Sequence, residues 1–188
     1  NGSGPDYNLG GDNPEGWVIA NDGSIDVDGE TKLLTDVIDF NTSALEYGDY
    51  IQAAMKGVYG STVNNGYAND NPRYDPSKDY LITLGNNATA LVALENSTAN
   101  NYSKININAE NGTVGMIASQ NSTATNDING QININYTGSK DNHGVIGMYT
   151  DTNSTIINNG IIMGQDHSAE PSAGTINGMR GQIINQEL

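Results

Sequence analysis

Apolar and polar positions in this chain follow two different rules. From Tyr80 onward they alternate over short runs, as in Ile105-Asn106-Ile107-Asn108 and Ile132-Asn133-Ile134-Asn135. A period of two places successive side chains on opposite faces of a strand. Between residues 31 and 60 the apolar positions instead recur at one, three and four residues: Leu33, Leu34, Val37 and Ile38, then Tyr47, Tyr50, Ile51, Ala54, Met55 and Val58. That spacing predicts a helix. Ser43 followed three residues later by Glu46 has the form of a capping box, which places the helix near residues 44–57. Residues 1–30 are rich in glycine and proline and read as irregular chain around one strand, Trp17-Val18-Ile19-Ala20. The segment 64–79 carries Gly66, Pro72 and Pro76 and reads as a loop.

The strand-forming half repeats itself. Glu95-Asn96-Ser97-Thr98 returns as Gln120-Asn121-Ser122-Thr123 and as Thr152-Asn153-Ser154-Thr155, with the asparagines 25 and 32 residues apart. Each copy precedes an isoleucine-rich segment, the third being Ile161-Ile162-Met163. Self-similarity at this period is the mark of a stacked repeat. Three strands fit each unit: 88–94, 97–102 and 104–109; then 113–119, 123–128 and 131–136; then 144–150, 154–159 and 160–165; with a partial fourth unit over 174–185. The expectation is an all-β chain, a right-handed parallel β-helix with coils stacked about 4.8 Å apart. Ile105, Ile132 and Ile161 are expected in one interior column, and Ile107, Ile134 and Met163 in another. Asn96, Asn121 and Asn153 are expected at tight corners, where asparagine tolerates left-handed backbone and stacked amides bond from coil to coil. The insertion 138–143 and the loop 166–173 would bulge from corners. Two domains result: an N-terminal head or cap over 1–80, partly helical, and β-helix repeats over 81–188. A cap is wanted because the end of a solenoid exposes strand edges.

Composition narrows the function. The net charge of −15, from 22 acidic and 7 basic residues, argues against nucleic-acid binding, which needs clustered Lys and Arg. No apolar run reaches the length of a membrane span. One Trp, one Phe and 36% hydrophobic residues suit a thin core of small β-branched side chains. The absence of cysteine, together with acidity and Asn, Thr and Gly richness, fits a bacterial exported chain. The missing initiator Met and the stop in repeat-like sequence at Leu188 are read as the marks of an excised fragment.

Gly144-Val145-Ile146-Gly147-Met148-Tyr149 and Thr155-Ile156-Ile157-Asn158-Asn159-Gly160-Ile161-Ile162 resemble the coil repeat of type V autotransporter passenger domains, notably the large fusobacterial-type outer-membrane adhesins. The resemblance covers residues 84–188. It implies surface display, attachment to a glycan or protein on host or neighbouring bacterial cells, and anchoring through a carboxyl-terminal barrel outside this sequence. It implies no catalysis and names no ligand.

Sites of chemistry are sparse. Asp22, Asp26 and Asp28-Gly29 suggest a calcium loop, but the EF-hand register puts Ser24 first and Thr35 last, where a bidentate Glu is needed. Asp70, Asp75 and Asp79 form a second oxygen-rich cluster, best read as solvated loop charge. His143 and His167, near Asp141 and Asp166, are the only histidines and fall in two corner loops. No nucleophile, zincin or phosphate-loop motif occurs. No catalytic, cofactor or metal residue is assigned, and the ligand-binding residues are left unknown. Asn41, Asn87, Asn96, Asn111, Asn121 and Asn153 lie in glycosylation sequons, for which corner chemistry is the simpler account. Tyr47, Tyr50, Tyr59, Tyr67, Tyr74 and Tyr80 cluster before the repeats, either packing the cap or forming a recognition surface. Two other functions stay open. A polysaccharide-cleaving β-helix enzyme needs paired carboxylates on adjacent coils, whereas Glu95, Glu110, Asp127 and Asp151 are expected on different corners. A structural stalk needs no site at all.

Overall fold

Short alternating runs cannot bury their apolar face alone, so they bury it against the coils above and below. In a computed structural model, which describes residues 18–27, 38–39, 44–45, 53–110, 112–137, 145–151, 153–166, 176–178 and 182–185, they do so as a parallel β-helix. Sheet I holds β5 (Ala53–Gly57), β8 (Thr89–Ala93), β11 (Thr113–Ala118), β14 (Val145–Thr150) and β17 (Ile176–Gly178). Sheet II holds β1 (Val18–Asn21), β6 (Thr62–Asn65), β9 (Thr98–Asn101), β12 (Thr123–Asn126), β15 (Thr155–Asn158) and β18 (Gln182–Asn185). Sheet III holds β2 (Ser24–Val27), β7 (Leu81–Leu84), β10 (Lys104–Ala109), β13 (Gln131–Tyr136) and β16 (Ile161–Asp166). The chain passes from sheet I to II to III and then rises one coil. A two-residue antiparallel pair, β3 (Ile38–Asp39) with β4 (Ala44–Leu45), stands outside the three sheets.

The core is a set of columns. Ile25, Ile82, Ile105, Ile132 and Ile162 are in register on sheet III. Ile19, Val63, Ala99, Ala124 and Ile156 are in register on sheet II, and Met55, Leu91, Met116 and Met148 on sheet I. Most of these side chains are fully withdrawn from solvent and form one contiguous apolar cluster. Burial of a Val, Leu, Ile or Met side chain contributes roughly 1.5–3 kcal/mol, which is how a narrow interior holds the fold.

Three expectations are corrected. Ile161 and Met163 are not interior: Ile162, not Ile161, is the partner of Ile132, and Gly164, not Met163, that of Ile134. Ile161 is 37% exposed and Met163 58% exposed. A one-residue slip moves every side chain of a strand to the other face. Second, the predicted helix near 44–57 is absent where the structure describes it, since Ala44–Leu45 and Ala53–Gly57 are strands; residues 46–52 lie outside the described residues. Consecutive Ala54 and Met55 both join the interior cluster while Ala53 and Val58 pack on the other face. One break in the alternation thus mimics helical spacing. Third, the coils do not begin at residue 81. The strands β1, β2, β5 and β6 continue the three sheets back to Val18.

Sheet I is apolar on both faces. Val92, Val114, Ile117, Ile146 and Tyr149 form a second buried cluster with Leu94 on the side away from the core. The same break recurs in each coil, as Ala90 and Leu91 both enter the core. Gly115 sits at it, where an added Cβ would lie 2.5 Å from the Gly147 carbonyl oxygen.

Candidate functional site

The corner between sheets I and II explains the Asn-Ser-Thr motif. Each coil turns there on two successive residues with positive φ: Tyr59 and Gly60, Glu95 and Asn96, Gln120 and Asn121, with Asn153 in the next. Paired positive φ is the signature of a type I′ turn. The serine that follows is buried and binds the coil before it. Ser97 Oγ accepts the Ser61 N–H, Ser122 Oγ that of Ser97, and Ser154 Oγ that of Ser122, each at 3.1 Å. The left-handed role expected of Asn96, Asn121 and Asn153 is present.

The amide ladder runs elsewhere, at the corner between sheets II and III. Asn21 Nδ2 donates to Asn65 Oδ1, Asn65 Nδ2 to Asn101 Oδ1, Asn101 Nδ2 to Asn126 Oδ1 and Asn126 Nδ2 to Asn158 Oδ1, at 2.8–2.9 Å. All five asparagines are buried. Half-buried ladders join Asn64 to Asn100 and Asn106 to Asn133, and an exposed one joins Asn108 to Asn135.

That second corner also carries the largest described excursion from the coil, the loop 66–80 between β6 and β7. Two tandem turns build it. Asn71 and Asp75 each precede a proline, the Asn71 carbonyl accepts Tyr74 N–H, and the Asp75 carbonyl accepts Lys78 N–H. Asn71 Oδ1 accepts Arg73 N–H, and Asp75 Oδ1 accepts both the Ser77 N–H and the Ser77 hydroxyl. The Ser77 hydroxyl, then its N–H, hold the Asp75 carboxyl below the usual carboxylate range. Such Asx–Pro turns are preset in φ, so the loop has little conformational freedom to lose.

Tyrosines seat the loop on the coil. Tyr67 and Tyr80 are buried against Ala20, edge to face at 5.4 Å, with Tyr74 packed alongside. Tyr80 Oη accepts the Asp75 N–H at 3.0 Å. Lys78 bonds the Asp22 side chain at 3.1 Å and lies 5.5 Å from the Tyr80 ring centroid. Lys104 pairs with Asp79 at 3.1 Å. Tyr67 and Tyr80 are therefore packing residues, as one of the two readings of the tyrosine cluster expected. Burial, then the charge on Asp22 and the neighbouring Tyr80, push the Tyr67 phenol up to about 12. Burial, then Asp127 and Asp70, also raise Tyr102.

A pH prediction follows. A phenol with a raised folded value favours its neutral form, so its contribution is full below the unfolded value of 10.0 and is lost as pH rises towards about 12. Alkaline melting curves should show stability falling over that window, and Tyr67→Phe should flatten the fall. An equally steep loss in Tyr67→Phe counts against the assignment.

The other sequence candidates are dispersed. Asp22 serves Lys78, while Asp26 points outward from β2, and Asp28, Gly29 and Thr35 lie outside the described residues. Among the described residues no three His, Cys, Asp or Glu side chains gather to hold a metal ion. His143, His167 and Asp141 are outside the described residues, as are Asn41, Tyr47, Tyr50 and Asn111. Glu110 and Asp127 stand on separate corners, but Glu95 and Asp151 share the corner between sheets I and II, two coils apart, which corrects the expectation that all four are separated. Asp151 is fully buried, accepting from the Ser119 hydroxyl and, at 3.1 Å, from Tyr149 Oη. No family model, no curated protein and no solved structure matches the chain.

Proposed function

We propose that this chain is a piece of a bacterial cell-surface adhesin, an autotransporter-type passenger that attaches to host or neighbouring cells by contact rather than catalysis. The observation that carries the reading is the loop 66–80. It is a fifteen-residue segment whose tip, Asn69 to Arg73, is exposed to solvent while Tyr67 and Tyr80 hold its base on the β-helix. Repeats need only a short corner, so a long loop that is also stiffened by two Asx–Pro turns is an investment beyond stacking. Its side chains, Asp70, Arg73 and Tyr74 with Tyr102 on the next coil, offer charge, donors and aromatic surface, the mixture found at recognition hot spots. Display outside the cell, by a parent chain anchored through its own barrel, belongs to the same proposal.

The test is competition. Residues 1–188 should block attachment of the parent bacterium to its target cells. Asp70→Ala combined with Arg73→Ala, both exposed, should weaken this about tenfold with an unchanged thermal midpoint. A wild-type fragment that fails to compete makes the molecule a stalk, and an undiminished double variant removes the loop from the interface.

A further inference from the structure

We propose a second binding edge on the corner between sheets I and II, built by Tyr59, Glu95 and Gln120 and fitted to an arginine side chain of a partner protein. It stands apart from the loop 66–80, which lies on a different corner. These three residues occupy the first central position of successive type I′ turns, with φ of 54°, 52° and 57°. Asparagine, aspartate and glycine are the residues such positions favour, and a bulky side chain there is a conformational outlier. Strain of this kind persists where function holds it. Packing does not account for Tyr59, a residue that is 78% exposed.

The chemistry of the edge is one-sided. Glu95 Oε2 and Gln120 Oε1 are both withdrawn from water without a hydrogen-bond partner. Both atoms are acceptors, so each lacks a donor to meet it. The turns bearing them are bonded coil to coil, Gly60 N–H to Glu95 O and Asn96 N–H to Gln120 O, each at 3.0 Å. The three turns, and the Cα atoms that carry the phenol, the carboxylate and the amide, therefore follow one another at the spacing of strands, about 4.8 Å. A guanidinium carries five N–H donors and no acceptor, and it stacks on aromatic faces. With its plane on Tyr59 it reaches Glu95 on the next coil, and rotation of the Glu95 and Gln120 side chains outward gives both orphaned oxygens a donor. The excess of 22 acidic over 7 basic residues draws cationic partners and repels a second copy of the chain.

The experiment measures affinity and stability together at physiological salt, with a fluorescent hexa-arginine peptide as probe and hexa-lysine and a panel of neutral oligosaccharides as competitors. Tyr59→Asn should weaken hexa-arginine about five- to tenfold, because the ring is lost. The same variant should raise the thermal midpoint by about 1–4 °C, since asparagine accepts the left-handed backbone. Glu95→Gln should weaken binding severalfold with no change in melting, and hexa-lysine should compete less well than hexa-arginine. Equal hexa-arginine affinity in wild type and both variants overturns the proposal. So does a lowered midpoint in Tyr59→Asn, or displacement of the peptide by a neutral sugar. Cell attachment is a separate readout, so failure of the adhesin reading leaves this result legible.

Discussion

Asn101→Ala should lower the thermal midpoint of the protein by roughly 6–12 °C, the counterpart of about 3 kcal/mol in a chain of this length. Asn101 is the middle rung of the buried amide ladder. Its Oδ1 accepts from Asn65 Nδ2 at 2.9 Å, and its Nδ2 donates to Asn126 Oδ1 at 2.8 Å and to the Gln131 carbonyl at 3.3 Å. Truncation removes these three bonds, and the one that Oδ1 accepts from the Ser103 N–H at 3.4 Å, at a buried residue. Asn65 Nδ2 keeps the Lys104 carbonyl at 2.9 Å, so the N-terminal half of the ladder is partly rescued. Asn126 Oδ1 loses the donor that Asn101 gave it, and an orphaned buried acceptor costs about 1–3 kcal/mol. A cavity adds to the loss. Asn101→Asp separates hydrogen bonding from shape, because a carboxylate has no donor to offer Asn126. Burial and that facing oxygen both favour the protonated acid, so its folded value is raised. Its stability is therefore greatest at low pH and is lost as pH rises, whereas Asn101→Ala shows no such added dependence. Thermal melts at two pH values check both, and a wild-type midpoint in Asn101→Ala sinks the ladder as a source of stability.

The ladder also shows what was legible in the residues. Strands over 104–109, 113–118 and 131–136 could be read because each unit carries its own alternation and its own Asn-Ser-Thr corner. The third unit was misregistered because Ile161-Ile162-Met163 has no alternation, so both frames look apolar. Corner length decides between them. Four residues separate β12 from β13 but only two separate β15 from β16, a difference visible only once the ladder pins Asn126 to Asn158. The Asn-Ser-Thr motif points to Asn96, Asn121 and Asn153 as the amide ladder, because those asparagines carry the repeat. The residues that build it, Asn101, Asn126 and Asn158, are marked by a plainer rule: each closes a sheet II strand.

The loop seat and the column of turn residues are harder to read from the sequence, for a physical reason. The tandem turns of 71–78 were readable as a loop from Pro72 and Pro76, yet the seat that holds them, Ala20 under Tyr67 and Tyr80, joins residues 47 and 60 positions apart in the chain. Repetition aligns Glu95 with Gln120 through the Asn-Ser-Thr motif, but Tyr59, followed by Gly60-Ser61-Thr62, joins them only through the left-handed backbone of the three turns. Variation at a position where stacking wants asparagine or glycine is a readable signal, once the turn type is known.

Gly160→Ala should be as damaging as the ladder variant, at about 3 kcal/mol, although it deletes nothing. A Cβ on Gly160 would fall inside the contact shells of the Gly130 and Asp127 carbonyl oxygens, with Asn126 Nδ2 at 2.9 Å. Neither oxygen is free to retreat. The Gly130 carbonyl accepts Ile161 N–H at 3.0 Å, and the Asp127 carbonyl accepts Gly130 N–H at 2.7 Å. The glycine is thus required by the closeness of two stacked corners. Gly66 differs: its φ of +76° makes the backbone itself the obstacle, with the nearest Tyr80 ring carbons 3.0 Å from an added Cβ. Gly66→Ala should cost about 1–2 kcal/mol and loosen the loop seat and the corner beside it, leaving the later coils undisturbed. Hydrogen exchange distinguishes the two, because coils of a solenoid report defects to their neighbours. Gly160→Ala should speed exchange at Ile161 and Asn159, whose N–H groups bond the preceding coil at 3.0 Å and 2.9 Å. Gly66→Ala should leave those amides protected and expose Tyr102, whose N–H bonds the Asn65 carbonyl at 3.0 Å. Unchanged protection at Ile161 in Gly160→Ala would show that the corner yields, and that its close stacking is not what holds the last coils in register.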